Sequence, residues 1–415
     1  MSTPASPRPC RACGAALQHS FADLGLSPVS NAFVDPGKAA EGEMFYPLHA
    51  MVCTRCWLVQ LAEATRAELH FHADYVYFSS FSSSWLAHAR AYVAQMQARF
   101  GLDRSSRVME IASNDGYLLQ YFQQAGIACV GIEPSGNTAA AARARGIDTR
   151  ELFFNRASAG ALAAQGERVD LLLGNNVLAH VPDLHDFVGA MPAVLKPDAV
   201  VTLEFPHLLR LIAGQQFDTI YHEHYSYLSL LALMPVFARA GLRVFDIEHL
   251  ATHGGSLRVY ACLQAAAHPT TAQVEACLAL EQEAGLARPD TYAAFGARMR
   301  ATKRALQRFM IDARDQGKSI AAYGAAAKGN TLLNYCGIGT DIIDYVVDSN
   351  PAKQGKLLPG SRIPVRAPQA VFDTRPDYLL ILPWNIKDEL MSQMAGIRDW
   401  GGQFLLANPH IEVVA

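Results

Sequence analysis

From residue 107 onward, short, mostly apolar segments alternate with longer amphipathic ones, and few folds accept that pattern. Residues 107–111 read as a buried strand, 112–116 as a polar turn and 117–124 as the helix that follows. Further strands read at 128–132, 169–173 and 199–204. Strands apolar on both faces need helices on both sides, so the run implies an open, mostly parallel α/β sheet. Two more strands, 242–249 and 256–263, flank a loop containing His253-Gly254-Gly255, and so short a loop joins antiparallel neighbours.

Either side of this sheet the pattern changes. Residues 271–318 show helical periodicity with charged faces, and beyond them strands read near 320–323, 343–347, 378–382 and 404–407, a second and smaller α/β unit. The chain of 415 residues is therefore expected to divide at 1–74, 75–265 and 266–415, the last part comprising a helical connector and the small α/β unit. An antiparallel hairpin closing a parallel sheet is the arrangement of the class I methyltransferase fold, which gives the central unit its expected Rossmann-like form.

The first segment holds Cys10-Arg-Ala-Cys13 and Cys53-Thr-Arg-Cys56. Two such pairs supply four thiolates to a tetrahedral zinc ion, and with four thiolates no position stays open, so the expected zinc is structural. Four unligated cysteines are the other reading of the pairs. Metal would also replace the apolar core that so short a segment cannot build alone. The remaining cysteines, Cys129, Cys262, Cys277 and Cys336, are scattered in apolar segments, which suits buried thiols better than a disulfide framework. With 35 basic and 38 acidic residues the formal charge is -3, which offers no polyanion-binding surface, and nucleic acid is an unexpected partner. No run of about 18 apolar residues suggests a membrane span, and residues 1–11 lack an apolar signal core. The expectation is a cytoplasmic protein without a membrane partner, monomeric or weakly dimeric.

The turn after the first strand of the central sheet reads Glu110-Ile-Ala-Ser-Asn-Asp-Gly116, with Ala112 and Asn114 where a dinucleotide fingerprint has its first two glycines. About twenty residues on, Glu133 ends the second strand, where a carboxylate accepts ribose hydroxyls. A pyrophosphate prefers bare amides, and Ser113, Asn114 and Asp115 supply polar side chains instead, which favours an adenosyl-methionine cofactor over a dinucleotide. An unrelated Rossmann-like unit with a solvated Glu133 is the alternative.

These segments, with Tyr75-Val-Tyr77-Phe-Ser-Ser80, Asn175-Asn-Val-Leu-Ala-His-Val-Pro182, Glu204-Phe-Pro206, Tyr221-His-Glu-His-Tyr225 and His253-Gly-Gly-Ser256, resemble the nucleotide-sugar C-methyltransferases of unusual deoxysugar biosynthesis. Those enzymes make branched sugars of the tetronitrose and mycarose type, and the likeness spans essentially the whole chain. It implies S-adenosylmethionine and structural zinc as cofactors and a nucleoside-diphosphate keto-sugar as substrate, methylated at a carbon next to the ketone, C3 of a 4-keto-deoxysugar. It also implies cofactor contacts from Glu110, Ser113, Asn114, Asp115, Gly116, Glu133, Asn175 and Asn176, and substrate contacts from Tyr77 and His222.

Taken by itself, the run from Tyr221 to Tyr225 is either a solvated loop or a reactive cluster. Carbon beside a ketone must lose a proton before it attacks an electrophilic methyl group, so the site needs a base and a donor to the enolate oxygen. The expected base is His224, or Glu223 acting through it, with the Glu223 carboxylate orienting the imidazole. Tyr221 and Tyr75 are expected near the enolate, and His180, beyond a strand's carboxyl end, at the keto oxygen.

In the last unit Tyr323-Gly-Ala-Ala-Ala-Lys-Gly-Asn330 joins a strand to a helix, and Asp348 ends the next strand. Small residues admit a diphosphate to the helix terminus, Lys328 adds a point charge, and Asp348 has the spacing of a ribose acceptor. Alone this also fits an NAD-dependent sugar oxidoreductase. The resemblance instead assigns Tyr323, Lys328 and Asp348 to the nucleotide of the sugar substrate. An O- or N-methyltransferase is the other alternative, although it would need neither the carbon base nor a second nucleotide cradle.

Overall fold

A computed structural model describes residues 8–62, 65–70, 75 and 77–415. The expected boundary between Asp74 and Tyr75 falls partly outside them. The first unit is a small antiparallel sheet of β1 (His19–Ser27), β2 (Tyr46–Val52) and β3 (Val59–Leu61), extended by a two-residue strand from far along the chain, Ser226–Tyr227. A short sheet cannot cover itself, and this one buries its apolar face on the connector helix: Phe21 stacks on Phe295 with ring centroids 4.4 Å apart, and Trp57 on Tyr292 at 6.2 Å. The expectation that metal stands in for a core is thus corrected. Ala50, Val52 and Leu61 share one core with Met299 and Leu306.

The central unit runs from α1 (Ser83–Phe100) through β4 (Arg107–Ile111), α2 (Leu119–Gln124), β5 (Ala128–Ile132), α3 (Gly136–Ala144), β6 (Thr149–Arg150), α4 (Arg156–Ala164) and β7 (Val169–Asn175). It continues with α5 (Leu184–Ala190), β8 (Leu195–Pro206), α6 (Leu208–Ala213), β9 (Ser226–Tyr227), α7 (Leu230–Arg239), β10 (Leu242–Leu250) and β11 (Ser256–Leu263). Its seven strands lie in the order β10-β11-β8-β7-β4-β5-β6, parallel except for the β10–β11 hairpin, whose β11 runs antiparallel to β8. Strand alternation sends Leu172 and Val201 into the core on one face and Leu171, Leu173 and Val200 into that on the other. Ser82 caps α1 by accepting from the Trp85 backbone at 3.2 Å, which sets Trp85 in the first turn.

After α8 (Ala272–Glu283) and the long α9 (Pro289–Asp315), the last unit forms a six-stranded sheet. It contains β12 (Ile320–Tyr323), α10 (Ala327–Cys336), β13 (Val346–Val347), β14 (Val365–Arg366), β15 (Tyr378–Ile381), β16 (Gln403–Leu406) and β17 (Glu412–Val414). The strand order is β14-β13-β12-β15-β16-β17, with only the β16–β17 pair antiparallel. Among the described residues no helix is long and apolar enough to cross a membrane.

Candidate active site

A cavity of about 540 Å³ opens over the carboxyl ends of β4, β5 and β7, where open α/β sheets place their ligands. All three units line it: Asn31 from the first, Glu133, Asn176 and His224 from the second, Ala327 and Lys328 from the third.

On the cofactor side, Ala112 (φ 56°) and Asn114 (φ 51°) take the left-handed conformation that glycine adopts freely, so the turn has the backbone of a glycine-rich loop without its glycines. Gly116 (φ 78°) is different: a Cβ there would stand 2.3 Å from Ile147. Glu133 accepts from the Asn114 backbone at 2.9 Å and, through its other oxygen, from the Ser135 backbone at 2.9 Å. Each carboxylate oxygen has two lone pairs, so each can accept one further hydrogen bond. Asn114 lines the cavity, and its side chain is engaged within the protein. It donates to the Tyr77 carbonyl at 3.1 Å and accepts from the Ser79 backbone at 2.9 Å, and Asn137 donates to the Tyr75 carbonyl at 2.7 Å. These bonds pin the segment carrying Tyr75 and Tyr77 across the cofactor cradle. Glu110 on β4 and Ser113, Asp115 and Gly116 of the turn are not among the residues that line the cavity. Asp115 is buried and accepts from Ser80 and Arg145, and Gly131 leaves room for Ser113.

The run from Tyr221 to Tyr225 is a turn, closed by the His224 backbone donating to the Tyr221 carbonyl at 2.9 Å, and its side chains split between two surfaces. Tyr221, Glu223 and His224 face the cavity. His222, expected at the substrate, points the other way, donating from Nε2 to the Pro47 carbonyl at 3.3 Å beside Tyr46. The expected Glu223–His224 pair is not made either. His224 donates from Nδ1 to the Thr219 carbonyl at 2.7 Å, while Glu223 accepts from Asn31 at 2.6 Å. The carbonyl takes the orienting role expected of the carboxylate and leaves Nε2 of His224 with its lone pair available. The His180 ring stands edge-on to His224 at 4.7 Å and Tyr221 lies 4.0 Å away. Burial pushes His180 down to about 4 and His224 well below the usual imidazole range, so both are neutral near pH 7. Burial, with Glu223 nearby, keeps the Tyr221 and Tyr75 phenols protonated.

Across the cavity, Lys328 lies in the first turn of α10, donating to Asn385 at 2.6 Å with its ammonium 4.8 Å from the Trp384 ring. Asp348 repeats the Glu133 arrangement, accepting from the Ala325 backbone at 2.9 Å and the Asn350 backbone at 2.8 Å, but it does not line the cavity. Lys353, which lies 3.4 Å from Asp348, lines it instead. Tyr323 is off the site because β12 alternates: Ala322 faces α9 and α10, and Tyr323 packs with Val347 and Ile381 on the opposite face.

At the far end of the first sheet the four expected zinc ligands converge. Cys10 and Cys56 sulfurs are 3.5 Å apart, as are Cys13 and Cys53, and all four lie within 4.8 Å of one another. Zinc–sulfur bonds of about 2.3 Å in a tetrahedron require sulfurs about 3.8 Å apart, so the set fits the ion. The contact between Cys10 and Cys56 lowers Cys10 and raises Cys56, and the Gln60 amide donates to the Cys10 sulfur at 3.1 Å.

Three family models match in sequence: "Putative zinc binding domain" over residues 10–71, "Methyltransferase domain" over 85–247 and "C-methyltransferase C-terminal domain" over 251–409. The C-methyltransferase NovU of Streptomyces niveus is 36% identical over 409 residues, 98% of this chain and 96% of that protein. The chain belongs to the C-methyltransferase family. A ubiquinone biosynthesis O-methyltransferase of Rhodopseudomonas palustris (strain BisA53) is 30% identical over 97 residues, 23% of this chain and 38% of that protein. Among solved structures, the magnesium protoporphyrin IX methyltransferase of Synechocystis PCC 6803 with bound SAM aligns at 15% identity and a TM-score of 0.33, covering 42% of this chain and 78% of that one. This C-methyltransferase is thus an S-adenosylmethionine-dependent enzyme with an N-terminal zinc-binding module.

The motifs did not single out four residues that the C-methyltransferase places at its cavity: Asn31, Trp85, Lys353 and His253. His253 sits in a quoted motif and could have been found by its unusual neighbours, two glycines at a hairpin turn. Asn31 carries no local signal.

Burial raises Glu223 to about 7, against the pull of Asn31. A carboxyl with a raised folded value keeps a proton that the unfolded chain has lost, so stability falls as pH rises from the ordinary carboxylate value to about 7 and stays reduced above it. Glu223→Gln retains the oxygen that accepts from Asn31 and removes the charge. It should stabilise the C-methyltransferase by on the order of 3 kcal/mol at pH 8 and leave it nearly unchanged at pH 4.5. Denaturant unfolding at both pH values measures this, and an equal effect at both would show that Glu223 is ionised throughout.

Proposed function

We propose that this C-methyltransferase methylates a carbon next to the ketone of a nucleoside-diphosphate-linked 4-keto-deoxysugar, C3 in such a sugar, after removing a proton from it. The observation that carries the reading is the placement of His224. It stands in one cavity with the cofactor cradle of Glu133 and the α10 terminus of Lys328, its Nδ1–H held by a carbonyl. Bound S-adenosylmethionine supplies the electrophilic methyl group. The work left to the protein is to make a nucleophile of carbon. His224 Nε2 takes the proton, Thr219 stabilises the cation that results, and the protonated Tyr221 donates to the enolate oxygen, with His180 at its other side. Lys328 and Lys353, with the amides opening α10, suit a diphosphate.

Two features speak against the alternatives. A hydroxyl or amine nucleophile would not need a buried carbon base, and in the last unit Asp348 does not line the cavity. Incubation with methyl-labelled cofactor and a panel of nucleoside-diphosphate 4-keto-deoxysugars tests the reading. The expected product carries the label on a ring carbon beside the ketone. Label found only on oxygen or nitrogen, or no keto-sugar accepted, would overturn it.

A further inference from the structure

His224 is aimed by a turn that belongs to the central unit in sequence and to the last unit in packing. Phe217–Thr219 forms a single helical turn, closed by the Ile220 backbone donating to the Phe217 carbonyl at 3.0 Å. Thr219 supplies the carbonyl that accepts from His224 Nδ1 at 2.7 Å. Phe217 is fully buried edge-on to Tyr335 of α10, with ring centroids 5.5 Å apart, in one core with Leu332 and Leu333.

Between these two residues Asp218 is buried, and its Oδ2 accepts from the Trp384 indole N–H at 2.7 Å. Trp384 opens the short turn Trp384–Ile386 of the last unit, and neither it nor Asp218 lines the cavity. The β10–β11 loop confines the indole from another side: a Cβ on Gly254 would stand 2.5 Å from the Trp384 ring, and Gln216, just before Phe217, donates to the Gly254 carbonyl at 2.9 Å. Burial raises Asp218 to about 6, against the pull of Lys328 and of the indole N–H, so near pH 7 the carboxyl is mostly ionised and the bond from Trp384 is charge-assisted. A carboxylate taken out of water is costly unless donors hold it. Oδ1 makes no hydrogen bond of ordinary geometry among the described residues, although the Asn408 side chain stands near the carboxyl, so much of that holding falls to Trp384.

We propose that Asp218 and Trp384 are positioning residues for His224: their bond fixes the turn Phe217–Thr219 against the last unit, and the Thr219 carbonyl then holds the imidazole in the tautomer and direction that present Nε2 to the substrate carbon. The carbon base and Lys328 are thereby set by the same unit, since Lys328 opens the helix against which Phe217 packs. This role presupposes His224 as the base.

Trp384→Phe in the full, zinc-loaded chain tests it, because it keeps a ring beside Gly254 and the Lys328 ammonium and removes only the indole N–H. Nitrogen NMR with ring-labelled histidine needs no substrate, and His224 is assigned by the signals that vanish in His224→Asn. In the unaltered chain Nδ1 should be protonated and Nε2 not; in Trp384→Phe both signals should shift toward a mixture of tautomers. With a nucleoside-diphosphate 4-keto-deoxysugar, kcat and exchange of the carbon-bound proton should both fall by about 10–100-fold, as for loss of a hydrogen bond to a charged group, while affinity for S-adenosylhomocysteine changes less than about twofold. Asp218→Asn keeps an oxygen that accepts from the indole, so it should retain the tautomer and most of the exchange rate. Unchanged His224 signals and exchange in Trp384→Phe would overturn the proposal, as would a raised KM for the keto-sugar nucleotide with kcat unchanged, which would assign the indole to Lys328 alone. Asp218→Asn falling as far as Trp384→Phe would overturn the shared bond. Normal exchange in His224→Asn would instead overturn the base beneath the proposal, and the tautomer readout would still decide the positioning.

Discussion

Replacing His224 with asparagine is expected to slow methyl transfer by about 10³-fold, and to slow exchange of the substrate's carbon-bound proton with heavy water by the same factor. The substitution is conservative where it needs to be. The asparagine amide nitrogen falls near the place of Nδ1 and still donates to the Thr219 carbonyl, which His224 now reaches at 2.7 Å. What it removes is Nε2, the one basic atom of that ring left uncommitted. Exchange requires a base but no methyl donor, so it can be followed by mass spectrometry with a keto-sugar nucleotide and S-adenosylhomocysteine in the cofactor site. Parallel losses place the deprotonation on His224. Exchange at the normal rate in a variant that no longer methylates would move the base to Glu223, whose carboxyl burial holds at about 7, a value suited to proton transfer near neutral pH.

The same residues show which parts of the fold and site a sequence reveals. The central sheet was legible because β4, β5 and β7 are short, mostly apolar segments, and a carboxylate at the end of β5 needs only a position in the chain to be noticed. The turn at Ala112 and Asn114 was harder, since its left-handed backbone exists without the glycines that advertise it. Facing was harder again. Tyr323 left the site because a strand reverses its side chains at every residue, and His222 because a turn in the chain sends neighbours to different surfaces. The partner of Glu223 was beyond reach: Asn31 lies 192 residues away, in a stretch with no pattern of its own. Adjacency in sequence suggested that Glu223 orients His224, and the Thr219 carbonyl, a backbone group that no side-chain motif records, has that place.

Zinc ties these distant segments together, and Cys53→Ser is expected to show it. The Cys53–Cys56 knuckle forms the turn between β2 and β3, and β3 pairs with β9, the strand that directly follows the turn of His224. Arg11, between the two cysteines of the other knuckle, donates to the Tyr225 carbonyl at 2.6 Å and to the Leu61 carbonyl at 2.6 Å, and its backbone donates to Gln60 at 2.9 Å. A serine hydroxyl is a poor zinc ligand, so the variant should bind well under one equivalent of metal and lose on the order of 5 kcal/mol of stability, a fall in Tm of about 10 °C or more. In whatever protein stays folded, kcat should fall further than affinity for S-adenosylhomocysteine, because Arg11 steadies the segment of Tyr221 to Tyr225 while the cofactor cradle draws on β4 and β5. Elemental analysis, thermal unfolding and calorimetric titration read the three effects. A Cys53→Ser protein with a full equivalent of zinc and an unchanged Tm would overturn the four-thiolate site. Loss of zinc with equal losses in kcat and cofactor affinity would instead show that the knuckles support the whole chain and not the catalytic turn in particular.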